Sequence, residues 1–322
     1  MILPDDLKDD LPMTIANEVE TSTLKVWSIL RASYEGDVAA VKEMVASYPE
    51  LAYAQYNYTP PIHFAVREGH APLVEYLLFE CGAHDPAYRI YPFLDSLEVI
   101  ADERGLSEIA AMLRKYAADG KWQKFSGDNG KIHFPRTDEQ RAFEKAVDQV
   151  DMQEVERVLQ EHPEWARDNT YFWGEGILTM PAKGDHRELM SLLMDHGATV
   201  PLVLKWAHAY YFERFEQAEF LMENGMDPNT QSWHGVTLLH DCAWKGWADR
   251  AKLLIDHGAE LNPIDDEYLS TPLGYAARFG HKEVVELLLA AGADRNLSGA
   301  DWSTPLAWAT TKGRDEIAQL LS

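Results

Sequence analysis

Thr271-Pro272-Leu273-Gly274-Tyr275-Ala276-Ala277-Arg278-Phe279-Gly280-His281 is a phrase that the chain repeats with variations. It returns as Thr304-Pro305-Leu306-Ala307-Trp308-Ala309, as Thr237-Leu238-Leu239-His240-Asp241-Cys242-Ala243 and as Pro61-Ile62-His63-Phe64-Ala65. A glycine follows nine residues after each Thr start and eight after Pro61, which fills the second position of the phrase. The same slot holds Gly36, Gly69, Gly105, Gly184, Gly246, Gly280 and Gly313, with Val150 and Glu213 in two intervening slots. The spacing is close to 33 residues, a period that marks stacked supersecondary units, each burying its apolar face against its neighbours.

Each phrase reads as a helix start. Thr can accept hydrogen bonds from the free amides of a first turn, and Pro there sacrifices no intrahelical bond. Small residues (Ala32, Ala65, Ala101, Ala146, Ala209, Ala276, Ala309) let the first helices of successive units approach closely. The glycine permits a sharp reversal into a second helix, whose apolar residues recur at helical spacing, as in Val284, Leu287 and Leu288. Those second helices end at Gly82, Gly197, Gly225, Gly258 and Gly292, the expected left-handed caps. First helices are expected to begin near Trp27, Pro60, Ser96, Gln140, Glu175, Leu204, Thr237, Thr271 and Thr304.

These residues resemble the ankyrin repeat, and the resemblance spans nearly the whole chain. It implies an all-α solenoid of about nine helix-turn-helix units with short hairpin connections. Lys121–Arg136 interrupts the pattern, and Asp128-Asn129-Gly130 between two alternating runs predicts a β-hairpin insertion. The organisation expected is therefore an N-terminal sub-array over 1–120 with about three repeats, the insertion over 121–136, and a C-terminal sub-array over 137–322 with about six. Tyr48-Pro49-Glu50-Leu51-Ala52 and His162-Pro163-Glu164-Trp165-Ala166 share an unusual unit ending that replaces the Gly-Ala cap.

Composition narrows the function. Among 322 residues there are 29 Lys and Arg against 53 Asp and Glu, a net charge of -24, which argues against a nucleic-acid or anionic-membrane binder. The two cysteines, Cys81 and Cys242, make no disulfide framework, and no stretch reaches the ~20 apolar residues of a membrane span. The N-terminus lacks the apolar core of a secretory signal, so a cytoplasmic protein is expected; an exported effector acting on a host protein is a further reading. There is no phosphate loop, Cys-x-x-Cys, His-Glu-x-x-His or Gly-x-Ser-x-Gly, so no catalytic residue, cofactor or metal ligand is expected. His63 and His240 fill the His of the repeat phrase, and the resemblance implies a structural bond to neighbouring backbone. Asp195-His196 and Asp256-His257 precede capping glycines and read as solvated helix ends.

The resemblance also implies that the two residues before each glycine, together with the hairpin tips, face a concave groove. In the C-terminal units those pairs are Ala182/Lys183, Tyr211/Phe212, Trp244/Lys245, Arg278/Phe279 and Thr311/Lys312, with four cations, four aromatics and no acid. The corresponding N-terminal pairs are mixed in sign. Aromatic tips at Trp173, Trp233, Tyr268 and Trp302 extend the set. Rings provide contact area and cations provide charge-assisted bonds, which suits a protein or peptide partner with an acidic segment. The bland alternative is that these side chains are solvated or stack on each other. A non-catalytic interaction scaffold is the leading expectation, and a Trp/His-lined small-molecule site or enzyme on the same face is the other. On this reading Trp244→Ala with Arg278→Glu abolishes partner binding and leaves thermal stability nearly unchanged, because both side chains are expected at the surface.

Overall fold

The computed structural model describes residues 1–120, 129–205 and 208–322, without the side chains of His208 and Ala209. It divides into two compact units, one of residues 5–134 and one of residues 1–4 with 135–322.

The first unit opens with β1 (Pro12–Ile15) and β2 (Val19–Ser22), an antiparallel pair that feeds directly into a helix. Helix pairs follow: α1 (Thr23–Glu35) with α2 (Val38–Ser47), α3 (Pro61–Arg67) with α4 (Ala71–Glu75), and α5 (Leu97–Glu103) with α6 (Ser107–Asp119). α4 runs on through a wider turn, Tyr76–Glu80. β3 (Lys131–Ile132) closes the unit by pairing antiparallel with β1, Met13 opposite Ile132. The expected hairpin over 121–136 is thus seen only in its second half, which pairs with the N-terminal strand; 121–128 lie outside the described residues.

The second unit contains α7 (Asp138–Asp148) with α8 (Met152–Glu161), then the short α9 (Tyr171–Gly174), then α10 (Thr179–Lys183) with α11 (Arg187–Asp195). β4 (Val203–Leu204) precedes α12 (His208–Tyr211) and α13 (Phe215–Glu223); β5 (Gln231–Ser232) precedes α14 (Leu238–Lys245) and α15 (Ala248–Asp256). The series ends with α16 (Pro272–Phe279), α17 (Lys282–Ala291), α18 (Pro305–Thr311) and α19 (Asp315–Leu321). Leu204, expected to open a helix, lies instead in β4, and Glu175 precedes its helix by four residues. α1 begins at Thr23, ahead of the expected Trp27, because β2 ends at Ser22, whose extended backbone caps the first turn directly.

Within each unit first helices stack on first helices and second on second, as α14 on α16 on α18 and α13 on α15 on α17. The threonines behave as the sequence implies. Oγ1 of Thr237, Thr271 and Thr304 accepts from the N–H of His240, Gly274 and Ala307 at 3.4, 3.3 and 3.1 Å. His240 is buried, its Nδ1 accepts the Thr237 N–H at 3.1 Å, and its Nε2–H donates to Ser270 O of the next repeat at 3.1 Å.

A second ladder joins the repeats where first helices end. His70 Nε2–H donates to Tyr34 O at 2.9 Å, Arg214 to Lys183 O at 3.2 Å, Arg250 to Glu213 O at 2.7 Å and His281 Nε2–H to Trp244 O at 2.8 Å. This explains the glycine slot beyond its reversal. Gly246 has φ 73°, and a Cβ there would come within 2.5 Å of the His281 ring. Where the glycine is missing, Val150 takes the left-handed conformation itself at φ 57°. At Gly184 φ is negative and Asp185 carries the left-handed residue, so the reversal there comes one position later.

The loops between helix pairs form a row tied by backbone. Val203 pairs in parallel with Gln231, Asp266 N–H donates to His234 O at 2.8 Å, and Gly299 N–H to Leu269 O at 2.7 Å. Ile2 N–H joins the row at Trp233 O (3.0 Å), and the Met1 nitrogen lies 2.6 Å from Asp266.

Candidate interaction face of the C-terminal repeats

The last residues of successive first helices set the candidate face. Trp244 and Lys245 end α14, Phe279 ends α16, and Lys312 follows α18. Trp244 and Phe279 are partly exposed and meet edge to face, centroids 6.3 Å apart at 62°. The Lys245 ammonium lies 3.8 Å from the Trp244 ring centroid, an arrangement in which ring and cation remain open to solvent on their outer sides. Lys183 and Lys245 are exposed, and Lys312 is partly so.

Other expected surface anchors are core. Tyr211, Phe212 and Trp233 are buried, Tyr268 is 1% exposed and Arg278 4%. Their environments give the reason. Tyr211 contacts Thr179 Oγ1 through its hydroxyl at 3.2 Å, and burial pushes its pKa up. The Arg278 guanidinium lies over three rings, Tyr268 at 4.3 Å, Trp308 at 4.8 Å and Phe279 at 5.1 Å. The expected two-residue surface at α16 is therefore one residue wide: Phe279 faces outward and Arg278 stacks inward among rings contributed by its own loop and by the next repeat. The Trp233 ring turns onto His234, centroids 4.0 Å apart. At the tips only Trp173 projects, 62% exposed with φ 64°; Trp302 is half-covered and packs edge-on to Trp308 at 5.6 Å.

Beneath this face lies a polar support. The buried Asp265 carboxylate accepts the N–H groups of Glu267 (2.6 Å), Tyr268 (2.7 Å) and Ser270 (3.0 Å) and the Tyr275 hydroxyl (2.9 Å). Burial raises its pKa to about 6 against the opposing pull of those donors. Glu267 lies close to His234 Nδ1, 3.9 Å away, both side chains 2% exposed. These groups fix the loop that supplies Tyr268, and the sequence offered no sign of them beyond their acidity.

In the unit of residues 5–134 a cavity of about 280 Å³ is lined by Tyr53, Gln55, Pro60, His84, Asp85 and Tyr88 among others. His84 is buried and its pKa is lowered to about 4 by desolvation. No helix among the described residues is long and apolar enough to cross a membrane.

Comparison with known proteins agrees with this architecture. The family profile for ankyrin repeats in three copies matches residues 204–298 and 270–322, and the single ankyrin repeat matches 58–89. The chain is 38% identical over 81 residues to Palmitoyltransferase Hip14 of Drosophila melanogaster, covering 25% of this chain and 13% of that protein. It is 39% identical over 83 residues to human Palmitoyltransferase ZDHHC13 (26% and 13%) and 33% identical over 106 residues to mouse Protein fem-1 homolog A-like (33% and 15%). The matched stretch is thus a small part of each of these relatives. Helix pairs, threonine caps, the cross-repeat ladder and these matches converge: the chain is an ankyrin repeat domain-containing protein.

Proposed function

We propose that the protein is a non-catalytic interaction scaffold whose C-terminal repeats bind a protein or peptide with an acidic segment. The observation that carries this is the Trp244–Lys245–Phe279 group at the ends of successive first helices, its cation exposed and its rings partly so, in repeat register with Lys183 and Lys312, on a chain of net charge -24. Half-exposed rings backed by a buried Arg278–Tyr268–Trp308 stack form a stiff platform, so little ordering entropy is lost on association. Trp173 and Trp302 extend that surface at the loop tips. Tyr211, Phe212, Trp233, Tyr268 and Arg278 act from below it.

On this proposal the helix pairs count as about nine units, in sub-arrays over 1–120 and 137–322 separated by the 121–136 insertion, and the scaffold works in the cytoplasm without nucleic acid or membrane. The palmitoyltransferase names belong to the relatives, of which this chain matches a small part. The test is affinity capture from lysate with wild type and a Trp244→Ala/Lys245→Glu variant. Proteins held by wild type and released by the variant support the proposal; identical capture contradicts it.

A second reading, a small-molecule site, is favoured by one observation, the cavity beside His84, Asp85 and Tyr88 in the N-terminal unit. At about 280 Å³ it sits just under the ~300 Å³ lower end of ligand pockets.

A further inference from the structure

The His162-Pro163-Glu164-Trp165 ending carries a cluster that the proposed partner surface does not use. Glu161 is the last residue of α8, His162 caps it, and Glu139 stands in the first turn of α7. One possible ligand atom from each of Glu139, Glu161 and His162 lies within 4.8 Å of the other two. His162 Nε2 is 3.7 Å from Glu139 Oε1, while Nδ1 faces Glu164 Oε1 at 3.3 Å. The Trp165 indole stacks flat on the imidazole, centroids 4.3 Å apart at 6°, which holds the ring plane with its two nitrogens directed at carboxylates. Arg157 reaches the far side of the group at Glu161 Oε2, 3.0 Å.

The first repeat is an internal control. It builds the same turn with Tyr48-Pro49-Glu50-Leu51, and there the Lys25 ammonium lies 4.0 Å from the Tyr48 ring centroid. The turn therefore needs neither an imidazole nor a facing carboxylate. The fourth repeat instead gathers three carboxylates around one imidazole, an arrangement that a bound cation relieves and that packing does not require.

We propose that Glu139, Glu161 and His162 Nε2 form a surface site for a first-row divalent transition-metal ion of the zinc type. One imidazole nitrogen with two carboxylates is a donor set for such an ion at ~2.0–2.2 Å per bond, and the imidazole disfavours the all-oxygen ions magnesium and calcium. The exposed glutamates close the remaining distance by rotamer changes, and water completes the shell. Glu164 accepts the Nδ1–H and so presents Nε2 as the donor, the outer carboxylate that metal-bound histidines characteristically have. The ion ties the start of α7 to the end of α8 and stiffens the repeat that follows the insertion.

The test is calorimetric titration of the full chain with zinc chloride, with magnesium chloride as control, for wild type, Glu139→Gln, His162→Tyr and Glu164→Gln. His162→Tyr copies the residue that the first repeat carries, so the turn keeps its fold; a thermal melt of each variant checks this. The expected result is one saturable zinc site, weakened at least ten-fold by Glu139→Gln and His162→Tyr and about 10–100-fold by Glu164→Gln, with no magnesium binding. Absence of saturable zinc binding overturns the proposal. So does zinc binding of equal strength in wild type and in both ligand variants, because the ion then sits elsewhere among the twelve histidines.

Discussion

Arg278 shows how far a single position can differ from its sequence pattern. By repeat register it belongs with Phe279 at the surface, yet its guanidinium is enclosed by Tyr268, Trp308 and Phe279. A cation in that place is held by ring faces and cannot be exchanged for an anion. We expect Arg278→Glu to lower stability by about 3–5 kcal/mol, the cost of breaking a buried charge arrangement, and Arg278→Met to cost far less. Chemical denaturation of the two variants checks this. Equal, small losses for both would place Arg278 back at the surface. The burial was not legible beforehand because two of the three rings come from other segments: Tyr268 from the preceding loop and Trp308 from the repeat beyond. Periodicity reports which face a residue takes on its own helix and says nothing of what a neighbour lays over it.

The helices themselves were legible because their signals are local. Thr-Pro starts, the small residues and the glycine slot each act within one turn, and the threonine caps form where expected. What the pattern left out was the reason the slot prefers glycine, which lies one repeat away in His281 or His70. This separates two classes of glycine. At Gly246 a methyl group meets both a left-handed backbone and an imidazole 2.5 Å away, whereas at Gly105 (φ 71°) nothing lies within 4 Å. We expect Gly105→Ala to cost about 1–2 kcal/mol from backbone conformation alone. Gly246→Ala should cost more, by about 1–3 kcal/mol of overpacking. Adding His281→Ala to Gly246→Ala removes the clash, so the pair should lose less than the sum of the single losses. Thermal melts of the four variants decide it, and strict additivity would sink the explanation. The strands were poorly legible: β1 and β2 are four residues each, and β3 pairs across more than a hundred residues of chain. The Glu139–His162 cluster escaped for a related reason, since its ligands sit on different helices and form no spaced motif.

For the whole molecule, buried ionisable groups set how each unit responds to acid. In residues 5–134 burial lowers the His84 pKa to about 4 from 6.5. The folded form then binds fewer protons than the unfolded chain below pH 6.5, so its contribution is complete above pH 6.5 and is lost as pH falls towards 4. By pH 5 the loss is about 2 kcal/mol. In the other unit His240 behaves alike, with a pKa near 4, but Asp265 opposes it. Its pKa, raised to about 6 from 3.8, makes the folded form gain relative stability as pH falls through that range. The two nearly cancel, so the unit of residues 5–134 should be the more acid-sensitive. Hydrogen exchange followed at pH 7 and 5, corrected for intrinsic rates, should show protection falling more there. His84→Gln should reduce the difference, and equal loss of protection in both units would contradict the assignment.

The same separation of surface from support underlies the proposed recognition. A platform that binds a partner through Trp244, Lys245 and Phe279 while Arg278 holds it from beneath predicts that binding and stability can be uncoupled at neighbouring positions. The decisive measurement compares Trp244→Ala/Lys245→Glu with wild type for thermal melting and for capture of partners in parallel. The melting temperature should stay within about 1–2 °C of wild type, corresponding to a loss of about 1 kcal/mol in a chain of this size, while the captured proteins are lost. A variant that melts normally and still retains every partner would show that the face is not where recognition occurs.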